Sequence, residues 1–194
     1  MSYELSVEKT AITNGVSVSC KELVSDYIEG NVLDYGFGKF RNTKYIISNN
    51  IELDVLDTIE QIKNNDNNLK DKSIKLIYNS EQHIEKDNYN YILLSFVLNV
   101  VPEYKDREFI VQNIHNGLKE DGFLYVEVRN DTFLKTAKTK TEYNDGFVLG
   151  SGKKRAFQKP YTLEQIVEFM DKNKFEVLKT KKTSGSIMLK CKKK

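Results

Sequence analysis

Strand-like and helical patterns alternate along this chain of 194 residues, and this alternation restricts the fold more than any other feature. Short apolar runs bounded by polar turns predict strands, and the stretches between them repeat apolar residues at helical spacing. Such an order is typical of α/β proteins, in which helices cover a mostly parallel sheet. The strands predicted before the last third of the chain are 32–34, 50–57, 74–78, the first half of 91–102, and 123–128.

Capping patterns and polarity define the segments between these strands. Ser19 with Glu22 three residues later forms a capping box, which predicts a helix within an N-terminal lead-in, 1–30. The segment 64–73 is polar, and we predict a connection that contributes no residue to the core. Apolar residues at helical spacing predict a further helix over 107–118.

The last third of the chain follows a different pattern. Residues 132–160 are polar, basic and contain several glycines, and we predict a loop or lid of the kind that carries specificity. Thr162 and Gln165 then cap a helix, and 175–191 reads as two strands joined by a turn. Five alternating strands followed by this antiparallel hairpin predict a mostly parallel seven-stranded sheet, with the basic residues 190–194 as a disordered tail.

The length of the chain fits a single domain, 1–194, that can bury a core without disulfides or metal. Cys20 and Cys191 lie near opposite ends, so neither a zinc site nor a disulfide framework is indicated. The first ten residues lack the basic start and apolar core of an export signal, and no apolar run approaches the ~18 residues of a membrane span. We therefore expect a soluble, cytoplasmic protein without a membrane partner.

Charge is distributed unevenly, although the net charge is only +2. Residues 1–131 carry 14 Lys/Arg against 22 Asp/Glu, whereas residues 132–194 carry 16 against 6. A basic C-terminal third attracts phosphate backbones, which makes a nucleic acid one candidate partner. The alternative is a solvated lysine surface with no specific partner.

The segment 31–40, with the sequence NVLDYGFGKF, has the form of a ligand-binding loop at the end of a buried strand. The apolar run ends in Asp34, and Gly36 and Gly38 then remove side chains that would block a ligand from the backbone. The dinucleotide-binding pattern G-x-G-x-x-G is incomplete, because Arg41 stands where the third glycine belongs. A tight turn without a ligand is the alternative interpretation.

A strand, an acidic residue and G-x-G together resemble the S-adenosylmethionine loop of class I methyltransferases, although Phe40 stands in place of the usual third glycine. The resemblance implies an α/β, Rossmann-like class I methyltransferase fold with S-adenosylmethionine as its cofactor. It also implies that Asp34, Tyr35, Gly36 and Gly38 contact that cofactor.

A second acidic residue is expected at the end of the next strand if the loop binds this cofactor, because a carboxylate there accepts hydrogen bonds from both ribose hydroxyls. Asp57 stands at this point, 23 positions after Asp34, a spacing typical of the family it resembles. Asp54 takes the role if the strand ends earlier. In the alternative interpretation, Asp57 is an exposed residue that caps a following helix.

The residues after the fourth strand face the transferred methyl group in class I methyltransferases, which assigns Ser95 and Phe96 to the cofactor and Asn99 to the reacting side. The chain contains neither D-P-P-Y nor N-P-P-Y, the motifs that hold a flipped adenine in DNA amino-methyltransferases, and Val100 stands where many small-molecule methyltransferases have a histidine. Methyl transfer from a sulfonium requires alignment more than a catalytic base, so activity is not excluded.

Four short motifs give a narrower resemblance, to the methyltransferases associated with DNA phosphorothioation systems: KTAI at 9–12, VLDYG at 32–36, FVLNVV at 96–101 and AFQKPY at 156–161. By this resemblance, Lys9 holds the carboxylate of the cofactor unless it is an ordinary exposed lysine.

By the same resemblance, Gln158 and Lys159 line the substrate opening, and they are candidate catalytic residues together with Asn99. In the alternative interpretation, Gln158 and Lys159 are exposed polar residues. This family points to nucleic acid or genome defence without fixing the methyl acceptor. A non-catalytic module that keeps the fold and binds the cofactor is the alternative function.

Overall fold

A computed structural model describes residues 5, 15–135, 137–151 and 155–194 of the chain. The helices in these ranges are α1 (Val18–Asp26), α2 (Arg41–Ser48), α3 (Ile59–Asn64), α4 (Tyr104–Gly117) and α5 (Leu163–Lys172). The strands are β1 (Val32–Tyr35), β2 (Leu53–Asp57), β3 (Ile74–Asn79), β4 (Tyr89–Ser95), β5 (Leu118–Arg129), β6 (Lys140–Tyr143), β7 (Gly146–Leu149), β8 (Ala156–Gln158), β9 (Phe175–Lys182) and β10 (Ser186–Lys193).

Seven of these strands form one twisted sheet in the order β3-β2-β1-β4-β5-β10-β9. The first five run parallel to one another, and β10 lies antiparallel between β5 and β9. The predicted mostly parallel sheet with a C-terminal antiparallel hairpin is therefore confirmed. Because β1 lies between β2 and β4, the chain leaves β1 at the point where the strand order reverses, which is where open α/β sheets bind ligands.

Apolar side chains cover the sheet on both faces. On one face, Leu33 and Tyr35 of β1 pack in a cluster with residues of α4 and α5, such as Val111 and Ile166. On the other face, Val32 belongs to a cluster that α1 and α2 cover. Strand β1 is buried along its whole length, so its alternating side chains contribute to both clusters. None of the helices within the described ranges is long and apolar enough to cross a membrane.

The N-cap of α1 differs from the prediction. Ser17 caps the helix by accepting a hydrogen bond from the Cys20 N–H at 3.1 Å, whereas Ser19 lies inside the first turn and is buried. The Ser19 N–H donates to the carboxylate of Glu127 on β5 at 2.8 Å. The sequence pattern selected Ser19 because Glu22 follows it, but a carboxylate 108 residues away takes the place of the local partner.

The segment 64–73 also differs, because it does contribute to the core. Its Leu69 lies in a 3₁₀ turn, Asn68–Lys70, and is buried in the cluster under α1 and α2. A single apolar residue among polar neighbours gives no periodic signal, so the prediction of a connection without core residues was wrong.

The segment 132–160 is not simply a loop. Its described part contains β6, β7 and β8, which pair antiparallel as a separate three-stranded sheet. Strand β6 is mostly exposed, so it lacks the alternation of apolar and polar residues that predicts a strand. Gly146 allows close packing in this sheet, since a Cβ there would lie 2.6 Å from the Phe157 ring.

The basic residues 190–194 are not a disordered tail. Strand β10 extends to Lys193, and within it Cys191 is completely buried. The Lys193 ammonium is held by the Asp87 carboxylate at 3.0 Å. The prediction failed because lysines can bury their aliphatic stems while their charges meet acidic partners from elsewhere in the chain.

Candidate functional site

A cavity of about 500 Å³ opens at the carboxyl ends of β1, β2 and β4. It is bounded by the glycine loop after β1, the turn after β2 and the segment 95–102 after β4, while Phe109 and Ile110 of α4 close one side. Of the candidate residues, Tyr35, Gly36, Gly38, Asp57, Ser95 and Phe96 line this cavity. The structure therefore brings together residues from three separate stretches that the sequence assigned to one site.

Gly36 holds the glycine loop against the neighbouring loops. Its N–H donates to the Leu56 carbonyl at 2.7 Å, and its backbone has a φ of 84°. A Cβ at this position would lie 2.3 Å from Cγ2 of Val97. Glycine is thus needed so that the loops after β1 and β4 can touch, a requirement that comes in addition to its place at the cavity lining.

Asp57 fixes the other side of the same loop. One carboxylate oxygen accepts from the Gly38 N–H at 2.6 Å, and the other accepts from the Thr58 N–H at 2.7 Å. Asp54, the alternative ribose ligand, is buried away from the cavity and accepts from the Tyr89 hydroxyl at 2.7 Å. Of the two candidate ribose ligands, Asp57 is therefore the one that faces the cavity.

Phe40, which replaces the third glycine, leaves the cavity open. It is the N-cap of α2 in a left-handed backbone conformation with a φ of 66°. Its ring is 1% exposed and packs edge-on against Phe37, with the ring centres 5.3 Å apart, in the cluster that α1 and α2 cover. The Phe40 side chain thus packs in the core and does not line the cavity.

Asp34 lies below the glycine loop and does not line the cavity. It is buried and accepts a hydrogen bond from the Thr43 hydroxyl at 2.7 Å, which ties β1 to α2. Burial raises the pKa of Asp34 to about 6; the Thr43 hydrogen bond opposes this shift, and the negative charge of Asp57 adds to it. The position of Asp34 suits an indirect role beneath the loop better than the direct cofactor contact that the sequence predicted.

Ser95 and Phe96 lie where β4 ends at the cavity. The Ser95 hydroxyl oxygen is buried and has no hydrogen-bond partner among the described residues. Phe96 has a φ of 60°, and the guanidinium of Arg41 lies 5.3 Å from the centre of its ring.

Asn99 lies outside the cavity, and its side-chain amide is occupied by the backbone. Its amide nitrogen donates to the Lys159 carbonyl at 2.7 Å, and its carbonyl oxygen accepts from the Arg129 N–H at 3.0 Å. The Lys159 N–H completes the link by donating to the Asn99 carbonyl at 2.8 Å. Asn99 therefore clamps three chain segments together and does not reach a reacting group.

Gln158 and Lys159 are also separated from this cavity, and neither is exposed. The side-chain oxygen of Gln158 is buried without a hydrogen-bond partner in the described structure. The Lys159 ammonium binds the Asp145 carboxylate at 3.0 Å beside a second, smaller cavity of about 170 Å³. The interpretation of these residues as a substrate opening is not supported by their positions, and Lys9 lies outside the described residues.

Charged residues at the cavity that sequence reasoning missed are Lys39, Arg41, Glu81 and Asp106. Arg41 begins α2, directly after the glycine loop, and Glu81 follows β3, the strand next to β2. Both positions could have been found from the rule that ligand sites gather at the carboxyl ends of parallel strands. In the parts of the chain that the structure describes, no group of three or more acidic, histidine or cysteine residues could hold a metal ion.

Comparison with known proteins identifies the fold. No protein-family profile matches the chain, and no curated protein matches it in sequence. Solved structures do match. A SAM-dependent methyltransferase from Methanosarcina mazei has a TM-score of 0.71 at 15% identity, covering 88% of this chain and 96% of its own. The chain has the class I methyltransferase fold.

Two further structures show the same similarity. The 1,6-didemethyltoxoflavin-N1-methyltransferase of Burkholderia thailandensis, solved with S-adenosylhomocysteine, has a TM-score of 0.67 at 13% identity, with 91% of this chain and 78% of that one covered. An S-adenosylmethionine-dependent methyltransferase from Clostridium acetobutylicum has a TM-score of 0.66 at 14% identity, with 89% and 87% covered. At these identities the likeness concerns the fold, so function depends on the residues of the site.

Proposed function

We propose that this chain binds S-adenosylmethionine in the cavity at the carboxyl ends of β1, β2 and β4 and transfers its methyl group to an acceptor. The observation that carries the proposal is the position of Asp57, which faces the cavity from the end of β2 and anchors the glycine loop through Gly38. A class I methyltransferase fold with an open cavity at this point supports it.

The residues around the cavity fit the parts of this cofactor. The Asp57 carboxylate faces the cavity from the end of β2, where it can accept hydrogen bonds from ribose hydroxyls. The apolar segment 100–102 and Ile110 suit the flat adenine ring. Arg41, at the cavity, suits the carboxylate of the methionine part.

The chemistry that the bound cofactor supplies is an activated methyl group on a sulfonium. The chain contributes alignment: the glycine loop, Asp57 and the wall after β4 hold fixed positions around the cavity. The charged residues at the lining are Asp57, Glu81 and Asp106 together with Lys39 and Arg41, so a ligand with both charges meets groups of both signs. The acceptor, including the link to nucleic acid or genome defence, is a proposal that rests on the motif resemblance alone.

A second candidate function is a cofactor-binding module that does not transfer the methyl group. The observation in its favour is that Asn99, Gln158 and Lys159 lie outside the cavity, so the candidate catalytic residues are engaged elsewhere. Transfer of radiolabel from S-adenosylmethionine to a protein, nucleic-acid or metabolite fraction would exclude this candidate. Binding of the cofactor with no labelled product in any fraction would support it.

Isothermal titration calorimetry with S-adenosylhomocysteine tests the proposed site. Asp57→Asn removes the charge that faces the cavity, so we expect binding to weaken by about 1.5–3 kcal/mol, the value of hydrogen bonds to a charged group. Asp54→Asn is the matched control, because Asp54 is an acid of the same strand that does not line the cavity. Its affinity should stay close to that of the wild type. Absence of heat at millimolar ligand would refute the proposal.

A further inference from the structure

A buried arginine supports the wall of the cavity from behind. Arg107 on α4 is 1% exposed, and its guanidinium donates to the Val101 carbonyl at 2.8 Å and to the Pro102 carbonyl at 3.3 Å. Both of these residues line the cavity. The guanidinium therefore fixes the backbone of the apolar wall, because each carbonyl it binds belongs to a residue that faces the site.

The charge of Arg107 is balanced by Asp145 in the turn between β6 and β7. The two side chains form an ion pair of 2.5 Å, and Lys159 binds the same carboxylate oxygen at 3.0 Å. Burial acts to raise the pKa of Asp145, but the hydrogen bonds from Arg107 and Lys159 outweigh it and hold that pKa below its ordinary value. Asp145 thus places a carboxylate between two cations.

Asn144, the residue before Asp145, also links the β6–β7 turn to the wall of the cavity. The side-chain amide of Asn144 donates to the Pro102 carbonyl at 3.3 Å and to the Glu103 carboxylate at 3.0 Å. The β6–β7 turn therefore contacts the wall segment directly through Asn144 and indirectly through Asp145 and Arg107. Lys159 extends the network to the segment 95–102 through its two backbone bonds with Asn99.

We propose that Asp145 is a positioning residue for the cofactor cavity, acting through Arg107 on the carbonyls of Val101 and Pro102. The inference rests on the proposed function for the identity of the ligand, and on the contacts alone for its effect on the wall. The small β6–β8 sheet then serves as a brace for the site. This role also accounts for the contacts of Asn99 and Lys159, which link the segment 95–102 to Asp145 and do not line the cavity.

Removal of the charge on Asp145 should loosen the wall for an electrostatic reason. A buried guanidinium without its carboxylate is strongly unfavourable, so Arg107 would turn toward water and release the carbonyls it holds. The segment 97–103 would then open more often, and its backbone N–H groups would exchange with solvent faster. A ligand that packs on this wall would bind more weakly because the wall must be ordered again on binding.

Hydrogen exchange measured by mass spectrometry on the unliganded full chain tests this directly. Asp145→Asn should raise the exchange rate of the peptide covering 97–103 by tenfold or more. Asp26→Asn is the matched control, because Asp26 is a half-buried carboxylate with its own lysine and tyrosine partners, Lys190 and Tyr125. That control should leave exchange at 97–103 within twofold of the wild type.

Affinity for S-adenosylhomocysteine is the second readout. We expect Asp145→Asn to weaken it at least tenfold and Asp26→Asn to change it less than twofold, under conditions where both variants are folded. Arg107→Lys is a further variant if Asp145→Asn does not fold. Lysine keeps the charge but lacks the fork with which arginine binds the two carbonyls through one nitrogen and Asp145 through the other.

The outcomes separate the two proposals. Faster exchange at 97–103 together with weaker binding supports the positioning role, and unchanged exchange in both Asp145→Asn and Arg107→Lys overturns it. If the wild type binds no S-adenosylhomocysteine but Asp145→Asn still exchanges faster at 97–103, the proposed function fails, whereas the support of the wall by Asp145 is confirmed. If Asp145→Asn and Arg107→Lys bind S-adenosylhomocysteine as tightly as the wild type does, Asp145 does not position the cavity.

Discussion

A phenylalanine in a left-handed backbone conformation joins the glycine loop to α2. Phe40 carries a conformational penalty of about 1–2 kcal/mol relative to glycine at such a position. Its ring is buried against Phe37, and removal of a buried phenylalanine side chain typically costs about 3–5 kcal/mol. Packing therefore exceeds strain, which explains how a bulky residue occupies the usual place of glycine without closing the cavity.

Substitution by glycine measures this balance. We expect Phe40→Gly to lower the free energy of unfolding by about 2–4 kcal/mol, because lost packing outweighs relieved strain. Lys174→Gly is the control, since Lys174 has a φ of 64° but is exposed, so the change should stabilise by up to about 1 kcal/mol. Urea unfolding of both variants checks the prediction. A stabilised Phe40→Gly would show that the ring contributes little.

The buried charge of Asp34 should make stability depend on pH. Because burial raises its folded-state pKa from 3.8 to about 6, the folded state binds the proton more tightly than the unfolded state. The contribution of Asp34 to stability is thus most favourable below about pH 4, and it declines as the pH rises toward 6 and beyond.

Asp34→Asn isolates this contribution, since asparagine can still accept from the Thr43 hydroxyl. Relative to the wild type, the variant should gain up to about 3 kcal/mol in unfolding free energy between pH 4 and pH 7.5, as a shift of this size implies. Urea unfolding at a series of pH values checks it. A difference between the two proteins that stays constant with pH would contradict the assignment.

Residue roles were predictable where they follow from strand ends and not where they follow from distant partners. Asp57 ends β2, and its place at the cavity was anticipated from its spacing to Asp34. Asn99 was assigned to the same site because it follows β4, but its amide turns toward Lys159, 60 residues away. The local sequence pattern predicts where a residue lies relative to a strand end. The direction of its side chain depends on partners that are distant in the sequence, and the local pattern does not identify them.

At the scale of elements, β10 shows how charge obscures a strand. It lies between β5 and β9, and Leu189 and Cys191 are completely buried. Its lysines find acidic partners, as in the pair between Lys190 and Asp26 at 2.8 Å. The sequence pattern identified the apolar half of this strand and missed the charged half, because pairing with other segments cannot be read locally.

Removal of residues 191–194 distinguishes a strand from a tail. The truncated chain loses the buried Cys191 and the Lys193 pair with Asp87, so we expect a loss of at least about 3 kcal/mol in stability, or insoluble protein. Thermal unfolding followed by circular dichroism measures it. Removal of Lys194 alone, which is exposed, is the control and should cost less than about 1 kcal/mol. Wild-type stability after the longer deletion would mean that the segment is a tail after all.

The small β6–β8 sheet was the least predictable element. Its strands are short, and β6 is mostly exposed, so neither their length nor an alternation of apolar and polar residues predicts them. The turn residues Asn144 and Asp145 carry its function in our account, through partners on α4 and before it. Such roles appear only when segments about 40 residues apart are brought into contact.

At the scale of the whole molecule, folding brings part of the basic C-terminal third into contact with the acidic N-terminal two thirds. Lysines of the basic C-terminal third meet acids of the N-terminal two thirds: Lys179 pairs with Glu22, Lys190 with Asp26, and Lys193 with Asp87 and Glu120. These pairs reduce the basic excess that suggested a nucleic-acid partner, so the structure adds no support to that hypothesis. Complementarity between the two parts of the chain accounts for some of the imbalance.

The overall architecture was the most predictable level, because it follows from the order of strands and helices. Alternating segments and a final hairpin were sufficient for the seven-stranded sheet, and the sheet determines where its carboxyl ends gather. The cavity is a consequence of this order. Its support by Arg107 and Asp145 is not, since it depends on side chains from separate elements.

A crystal structure of the protein grown with S-adenosylhomocysteine tests the central claim most directly. We predict density for the ligand in the cavity between the glycine loop and the wall 97–102, with its ribose hydroxyls within hydrogen-bond distance of the Asp57 carboxylate. The adenine ring should lie on the apolar wall. A ligand bound elsewhere, or a cavity that stays empty at saturating concentration with Asp57 turned away, would contradict the claim.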